Sequence, residues 1–492
     1  MGNSALDCWR TRGRNRTGVP SYNITILILA TLALASGSAR ANTECTNLRA
    51  EFDQAVSLQR VADPRYHRHP LGPWLRSDRF HSDALRRALA KQTDPLPILQ
   101  AMADMDARAT AREHARLAAG AYPDNAWMST CREAAVASVA RQLEDDPRLR
   151  ERAMAHTHPD AYRNWQRVIG GYVFARPFLR LGAQRWRLGE HSLQQQKPPP
   201  EIAIRWQPES GASWNRSRVA EALDLARREH PLGWPWPDAV TRNALFETFA
   251  PVVDSPSLAT ADRIGRLEAR DGRAQVDTES PAAYTEASLV RLGSEVLLQL
   301  SYTFWFPERS PEYPLDPYAG PIDGLTWRVT LDTDGRPLLW DSIHACGCYY
   351  TLFLPADAPI IFRNPDPVAR EDPLVLIGPP ATARLRFVAS PGAHFLRWPT
   401  DMESTGQGAA VNLDYTIRPY AELLEAGTRR PPFRPDGLLT GTSRLERLFL
   451  FPAGIPDPGA MRSKGHHATA FLGRRHFDDP ELASGMVQRI SK

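Results

Sequence analysis

The segment Ser342–Tyr350 holds the residue types in this chain that are best suited to chemistry. Its sequence, S-I-H-A-C-G-C-Y-Y, places His344, Cys346 and Cys348 at every second position. Alternate side chains of an extended strand project from one face, so an imidazole and two thiolates would converge there. This donor set suits zinc or copper(I), with a fourth ligand or an open position. The spacing therefore indicates a soft-metal site.

The same two cysteines have a competing interpretation as a disulfide. Alpha carbons two residues apart in a strand are about 6.6 Å from each other, near the outer limit for a disulfide, so the chain would have to bend at Gly347. Such a small ring would be strained and easily reduced, giving a redox-active pair or a passive staple. Free thiols, or pairing with other cysteines, are the remaining options. Metal ligation and a Cys346–Cys348 disulfide exclude each other, because a metal requires both thiolates.

A second cluster near the C-terminus offers further ligands. We predict that His467 or His476 completes the site with His344, and that Asp478 or Asp479 orients a ligating imidazole. The alternative is a solvated tail with ordinary ion pairs. His394 is a weaker candidate ligand. Two H-x-H pairs earlier in the chain are expected to serve as caps or surface residues: His67 with His69, and His156 with His158.

Motifs of the common enzyme classes are absent from the sequence. It contains no H-E-x-x-H, G-x-S-x-G, S-x-x-K, C-x-x-C, Walker A or G-x-G-x-x-G pattern. Zincins, serine hydrolases, thioredoxin-like domains and nucleotide binders therefore lose their usual sequence support. Whether the protein is an enzyme is not decided by its sequence.

The N-terminus has the layout of a cleaved secretory signal. Four arginines between positions 10 and 16 precede a 12-residue apolar run, residues 24–35, and the A-x-A pattern Ala39-Arg40-Ala41 follows. The run is shorter than the roughly 20 residues that span a bilayer. We therefore predict cleavage after residue 41, a periplasmic or secreted protein, and no stable membrane span after cleavage.

Export would also change the charge of the protein. Residues 1–41 contain five arginines and one aspartate, so the chain of net charge +4 would become one with 55 basic and 55 acidic residues. A neutral chain gives no support for nucleic-acid binding, which we do not expect. Cys8 would leave with the signal, and four cysteines would enter an oxidising compartment. The simplest pairing is a Cys45–Cys131 disulfide.

Composition and periodicity predict an α+β protein. Apolar residues recur at helical spacing over 42–193, the Gln/Pro-rich residues 194–200 read as a linker, and alternation dominates 201–492. We predict an N-terminal all-helical domain followed by a larger, mainly antiparallel β domain with a few helices. An apolar stripe in the helical part is expected to pack in its core; it comprises Trp165, Ile169, Tyr172 and Val173.

Two functions from different classes follow from these features. The first is an exported zinc- or copper-binding protein whose site lies on the C-terminal domain around His344. The second is a non-catalytic envelope protein without a cofactor, whose helical domain binds a protein partner and whose cysteines are structural.

Overall fold

The structure is a computed structural model that describes residues 43–117, 126–195, 201–209, 211–270, 273–363, 372–401, 409–425 and 431–490. The chain divides into two compact units, residues 1–51 and 52–492. The described residues of the first unit, 43–51, are helical. All elements below belong to the second unit.

The helices of the second unit precede most of its strands. Helical residues 52–59 form α1. They are followed by α2 (Arg79–Ala90), α3 (Leu96–Arg116), α4 (Ala126–Asp145), α5 (Pro147–Ala155), α6 (Asn164–Ile169), α7 (Tyr172–Gln194), α8 (Arg216–Glu229), α9 (Ala239–Phe249), α10 (Glu422–Glu425) and α11 (Arg447–Leu450).

Eleven strands of the described part of the chain form one sheet. In spatial order they are β13 (Leu374–Gly378), β11 (Thr351–Pro355), β10 (Pro337–His344), β9 (Gly320–Leu331), β8 (Glu295–Arg309), β7 (Ala282–Leu292), β16 (Ala409–Pro419), β3 (Ile202–Pro208), β4 (Val252–Ser255), β14 (Leu385–Ala389) and β15 (Leu396–Asp401). The edge strands β13 and β15 contact each other, which shows that the sheet is curled. Three further pairs lie outside it: β1 (His67–Arg68) with β2 (Arg76–Ser77), β5 (Arg266–Arg270) with β6 (Arg273–Asp277), and β12 (Ile360–Phe362) with β17 (Val487–Arg489).

The prediction of a mainly antiparallel sheet is wrong. The sheet is mixed, with parallel pairing of β11 with β13, β4 with β14, and β16 with both β3 and β7. The physical reason lies in the connections: β16 comes late in the chain and enters between two much earlier strands. Alternation of apolar residues marks a half-buried strand but not the direction of its neighbours.

The N-terminal helices do not build a separate hydrophobic core. Leu85 of α2, Leu99 of α3 and Val139 of α4 belong to the same buried cluster as Leu300 and Trp327 of the sheet. The helices therefore cover the sheet rather than form an independent all-helical domain. A helical apolar face needs a partner, and its own sequence does not say whether that partner is a helix or a sheet.

Local strand predictions are more successful. Leu298, Leu300, Tyr302, Phe304 and Phe306 share one parity, and all five are buried in the main core. The turn Asp332–Gly335 connects β9 to β10, with Gly335 at a φ of +82°. These predictions depend only on period-two alternation and turn chemistry, both of which are local.

Two predicted segments fall largely outside the described residues. The predicted signal, residues 1–41, lies wholly outside them, and so do residues 196–200 of the predicted linker. Signal cleavage, export and the domain boundary at 194–200 remain predictions. Over the described ranges, no helix is both long and apolar enough to cross a bilayer.

Candidate functional site

A cavity of about 750 Å³ lies between α7 and the loops at one end of the sheet. Small-molecule sites typically have volumes of roughly 300–1,000 Å³. Helix α7 contributes Phe178, Gly182 and Trp186 to the lining, and the loops contribute Tyr349 and Phe395, whose ring centroids lie 5.2 and 5.9 Å from that of Trp186. The polar lining residues include Arg309, Cys348, Glu446, Glu190 and Arg397. The cavity thus combines an aromatic lining with a few charged groups.

The segment that carries His344, Cys346 and Cys348 is a tight turn rather than a continuing strand. The amide of Gly347 donates to the carbonyl of His344 over 2.8 Å, and the amide of His344 donates to the carbonyl of Cys348 over 3.1 Å. Because β10 ends at His344, the premise that the three side chains share one strand face is wrong. This turn, rather than a strand, positions Cys346 and Cys348.

Gly347 is required for this turn, which gives a first testable prediction. Its φ is +89°, and a Cβ would overlap the carbonyl oxygen of Ala468. We expect Gly347→Ala to lower the free energy of unfolding by about 3 kcal/mol. The alanine would be strained at this φ, and backbone atoms would also have to move to make room for its Cβ. Gly293→Ala is the control: its φ is +62°, but no atom lies within 4 Å of the added methyl. That variant should lose only about 1 kcal/mol in urea unfolding. Equal losses would show that the contact with Ala468 is unimportant.

The two thiols lie side by side and are buried. Cys346 and Cys348 are both free cysteines. The Cys348 thiol hydrogen-bonds Cys346, which lowers the pKa of Cys346 and raises that of Cys348; burial also raises the pKa of Cys348. Of the two, Cys348 lines the cavity. Cys346 is therefore the more acidic thiol, and Cys348 is the one that adjoins the cavity.

A buried ionic cluster lies behind the cavity wall and is centred on Asp323 of β9. Nδ1 of His394 lies 2.9 Å from its Oδ2, and Nη2 of Arg444 lies 3.3 Å from its Oδ1. Nδ1 of His344 is 3.7 Å from Oδ2. Burial acts to raise the pKa of Asp323, but these histidines and Arg444 hold it well below its ordinary value.

His394 is fixed in this cluster on two sides. Its Nε2 lies 3.2 Å from Oδ1 of Asp262, and its ring stacks on Phe306 with centroids 3.9 Å apart. Burial acts to lower its pKa, but Asp262 and Asp323 outweigh burial and raise the pKa. The two carboxylates therefore favour the charged form of the imidazole, and His394 positions the neighbouring residues Ala393 and Phe395, which line the cavity.

Backbone strain is concentrated around this cluster. Ile322, Tyr349 and His394 have φ values of +57°, +61° and +56°. Positive φ is unusual for residues other than glycine and is a genuine outlier for a β-branched residue such as Ile322. Strain of this kind persists where the surroundings determine it, and it occurs preferentially at functional sites.

Arg309, at the end of β8, is a buried cation in the cavity lining. Its guanidinium lies over the rings of Tyr349, Phe395 and Tyr318, at 5.1, 5.4 and 5.9 Å from their centroids. Within the described part of the chain its Nη1 has no hydrogen-bond partner, although the side chain is buried. A buried unsatisfied donor is costly and calls for an explanation.

Glu446 provides the titratable acid of the cavity. Its side chain is buried, and burial raises its pKa to about 7 despite the opposing charges of Arg444 and Arg309. Asp323 adds to the increase, and Arg462 opposes it. The carboxyl therefore changes charge near neutral pH, within a cavity that also contains Arg309.

The predicted C-terminal ligands lie in two different surroundings. Nε2 of His476 is 3.3 Å from Asp160, and its Nδ1 is 3.6 Å from Asp479. Asp478 and Asp479 both lie near Arg79, with nitrogen-to-oxygen distances of 3.4 and 3.6 Å. His467 is buried and hydrogen-bonds the backbone of Ala345, beside the cysteine turn. The structure thus places only His467 next to the turn.

The two H-x-H pairs lie against each other. The ring centroids of His67 and His158 are 4.6 Å apart, and those of His69 and His156 are 4.7 Å apart. His466 adds a third ring, 5.3 Å from His67. Burial and the neighbouring His158 and His466 lower the pKa of His67 to about 3, so its imidazole is neutral at ordinary pH. This pairing joins distant parts of the chain, so the sequence alone does not show it.

The metal interpretation stays a prediction. Among the described residues, no group of three or more His, Cys, Asp or Glu side chains is arranged to hold a metal ion. Elemental analysis of protein purified without chelator decides it. Cys45 and Cys131 are both disulfide-bonded, whereas Cys346 and Cys348 are free, and the pairing of Cys45 with Cys131 stays a prediction.

Arg309 and Glu446 are the functional candidates that the sequence did not reveal. Both sit in ordinary local patterns, Arg309 at the end of a strand and Glu446 beside a short helix. A strand prediction that continued past Pro307 would have placed Arg309 at the sheet end. No local signal identifies Glu446, because its burial depends on segments far away in the chain.

The comparisons with known proteins give no relative. No family model, curated protein or solved structure matches this chain. The geometry of the site is therefore the basis for inferring a function.

Proposed function

We propose that this protein binds a small amphipathic molecule with an anionic group, such as a medium-chain carboxylate, in the cavity beside α7. The observation that carries the proposal is Arg309, a buried cation that lines the cavity and has an unpaired Nη1. A bound carboxylate would satisfy this donor with a charge-assisted hydrogen bond.

A second unpaired donor supports the same ligand chemistry. Nε1 of Trp186, which also lines the cavity, likewise has no partner among the described residues. Both orphans are donors, so they favour a ligand that brings acceptors. Arg397, a second cation in the lining, is already paired, since it donates to Glu190 over 2.6 and 2.8 Å.

The rest of the cavity favours an apolar body on the ligand. Its aromatic residues include Phe178, Trp186, Tyr349 and Phe395, with Phe471 nearby. Sites for small molecules typically combine such a lining with a few polar groups that fix orientation. An apolar chain or ring would therefore lie among the aromatic side chains while its acidic end faces Arg309.

Glu446 should make this binding depend on pH. Because its pKa is about 7, the carboxyl is mostly neutral at pH 6 and mostly ionised at pH 8. The ionised form competes for Arg309 and repels an anionic ligand. We expect the affinity for decanoate to fall several-fold between pH 6 and pH 8, measured by isothermal titration calorimetry. Glu446→Gln should flatten this profile; an unchanged profile in that variant would exclude Glu446 as its cause.

A series of ligands that differ only in their head group tests the proposal. Decanoate, decanol and decylamine share one alkyl chain but carry negative, zero and positive charge. We expect decanoate to bind at least ten times more tightly than the other two, because a hydrogen bond to a charged group contributes about 1.5–3 kcal/mol. Equal binding of all three, or no binding of decanoate, would contradict the proposal.

A further inference from the structure

Helices α6 and α7 carry an apolar face that nothing in the described structure covers. Eight of their large apolar side chains are between 46% and 82% exposed. An amphipathic helix of a globular protein normally turns such residues inward. Here the expectation that this stripe packs in the core is wrong. The exposed set is Trp165, Val168, Ile169, Val173, Phe174, Phe178, Leu181 and Leu188.

The face on α7 is continuous along the helix. Phe174, Phe178 and Leu181 follow each other at spacings of four and three residues, which places them on one side. The opposite side of α7 is turned toward the protein, where Trp186 lines the cavity and Glu190 is buried against Arg397. Helix α7 is therefore amphipathic, but its apolar side, with Phe174 and Phe178, faces solvent.

The charge of this segment is strongly positive. Residues 163–194 contain six arginines but only one acidic residue, Glu190. Arg163 and Arg185 are exposed. Exposed aromatic and aliphatic side chains with surrounding arginines are the features of helices that lie in a membrane interface. Arginines close to such a surface attract anionic lipids.

The exposed face meets the mouth of the cavity. Phe178 belongs to both, since it lines the cavity and is 76% exposed. Phe449, from α11, also lines the cavity and is 65% exposed. A surface resting on this face would therefore lie next to the entrance of the ligand site.

We propose that α6 and α7 dock the protein on an anionic lipid bilayer, with the apolar face in the interface and the arginines at the head groups. The net charge of this segment selects a bilayer with negative head groups over a neutral apolar partner. This inference goes beyond ligand binding in the cavity and does not depend on it.

Co-sedimentation of the full chain with lipid vesicles tests the proposal. We expect binding to vesicles of phosphatidylglycerol and phosphatidylcholine to be at least tenfold tighter than to phosphatidylcholine alone, and to weaken with added salt. The double variant Val173→Gln with Phe174→Gln should lower vesicle affinity at least tenfold, because two large apolar groups no longer enter the interface. Both positions are exposed and lie outside the cavity lining.

The matched control changes two exposed apolar residues on other helices, Leu225→Gln with Val240→Gln. This variant should bind vesicles like the unchanged protein.

Binding that is the same with neutral and anionic vesicles would overturn the proposal. Absence of vesicle binding would overturn it as well. In that case the α7 face would be covered by residues 1–42 or by a second copy, and a cysteine introduced by Phe174→Cys would be protected from thiol labelling. Decanoate affinity, measured in parallel, should be unchanged in the double variant, which separates this test from that of the cavity.

Discussion

Asp323→Asn is expected to lower the free energy of unfolding by about 3–5 kcal/mol, since it removes the negative charge at the centre of a buried ionic cluster. Asp323 is fully buried and lies between His394 and Arg444. Neutralising it removes the carboxylate beside Arg444 and one of the two carboxylates beside His394. Because its folded-state pKa is lowered, its contribution is present above about pH 4 and is lost as the pH falls below that value.

Thermal and urea unfolding of Asp323→Asn would measure this effect. Asp414→Asn is the control. Asp414 is exposed on β16, where its carboxylate accepts a hydrogen bond from Gln207. Its stability should change by less than about 0.5 kcal/mol. If Asp323→Asn were as stable as this control, the ionic cluster would not hold the site together.

Arg309→Gln is expected to weaken decanoate binding by roughly 10- to 100-fold, because the ligand loses a charge-assisted hydrogen bond worth about 1.5–3 kcal/mol. The glutamine keeps much of the length of the side chain but not its charge. Decanol, which has no charge to pair, should bind the variant and the unchanged protein within a few-fold of each other. Calorimetric titration of both ligands gives the comparison.

The control for this prediction is Arg228→Gln. Arg228 is exposed on α8, where it pairs with Asp224. Its replacement removes one arginine without touching the cavity, so decanoate affinity should not change. An equal loss in both variants would mean that net charge, not Arg309, attracts the ligand. No loss in Arg309→Gln would place the ligand elsewhere.

Local features of this fold follow from the sequence to a large extent. The β9–β10 hairpin depends on Gly335, and the buried face of β8 depends on alternation from Leu298 to Phe306, so neighbouring residues contain enough information. The parallel pairing of β16 between β7 and β3 depends on contacts across more than a hundred residues. Periodicity within one segment does not specify such partners.

The site itself shows the same division. The sequence singled out Cys346 and Cys348, and both lie buried at the edge of the cavity region. The prediction from the sequence assumed that strand β10 continues through the cysteines, whereas the chain turns at Gly347 and packs against Ala468. Arg309 and Glu446 owe their chemistry to burial by distant segments, which shifts a pKa or leaves a donor unpaired. Residue type alone does not reveal burial of this kind.

The apolar stripe of α6 and α7 shows why periodicity needs a structural context. A period of 3.6 residues indicates that a helix has an apolar side, but not what covers that side. For α2, α3 and α4 the cover is the curled sheet. For Phe174 and Phe178 the described structure provides none, and the arginines around them point to a lipid surface.

The crystal structure of the protein with a bromine-tagged decanoate is the most direct test of the proposed ligand site. Ligand binding in the cavity predicts that the carboxylate lies within hydrogen-bonding distance of Nη1 of Arg309. The alkyl chain should lie along the apolar lining residues of α7, among them Phe178 and Trp186, and the anomalous signal of the bromine would mark its end. A carboxylate bound elsewhere, with Nη1 of Arg309 still unpaired, would contradict the proposal.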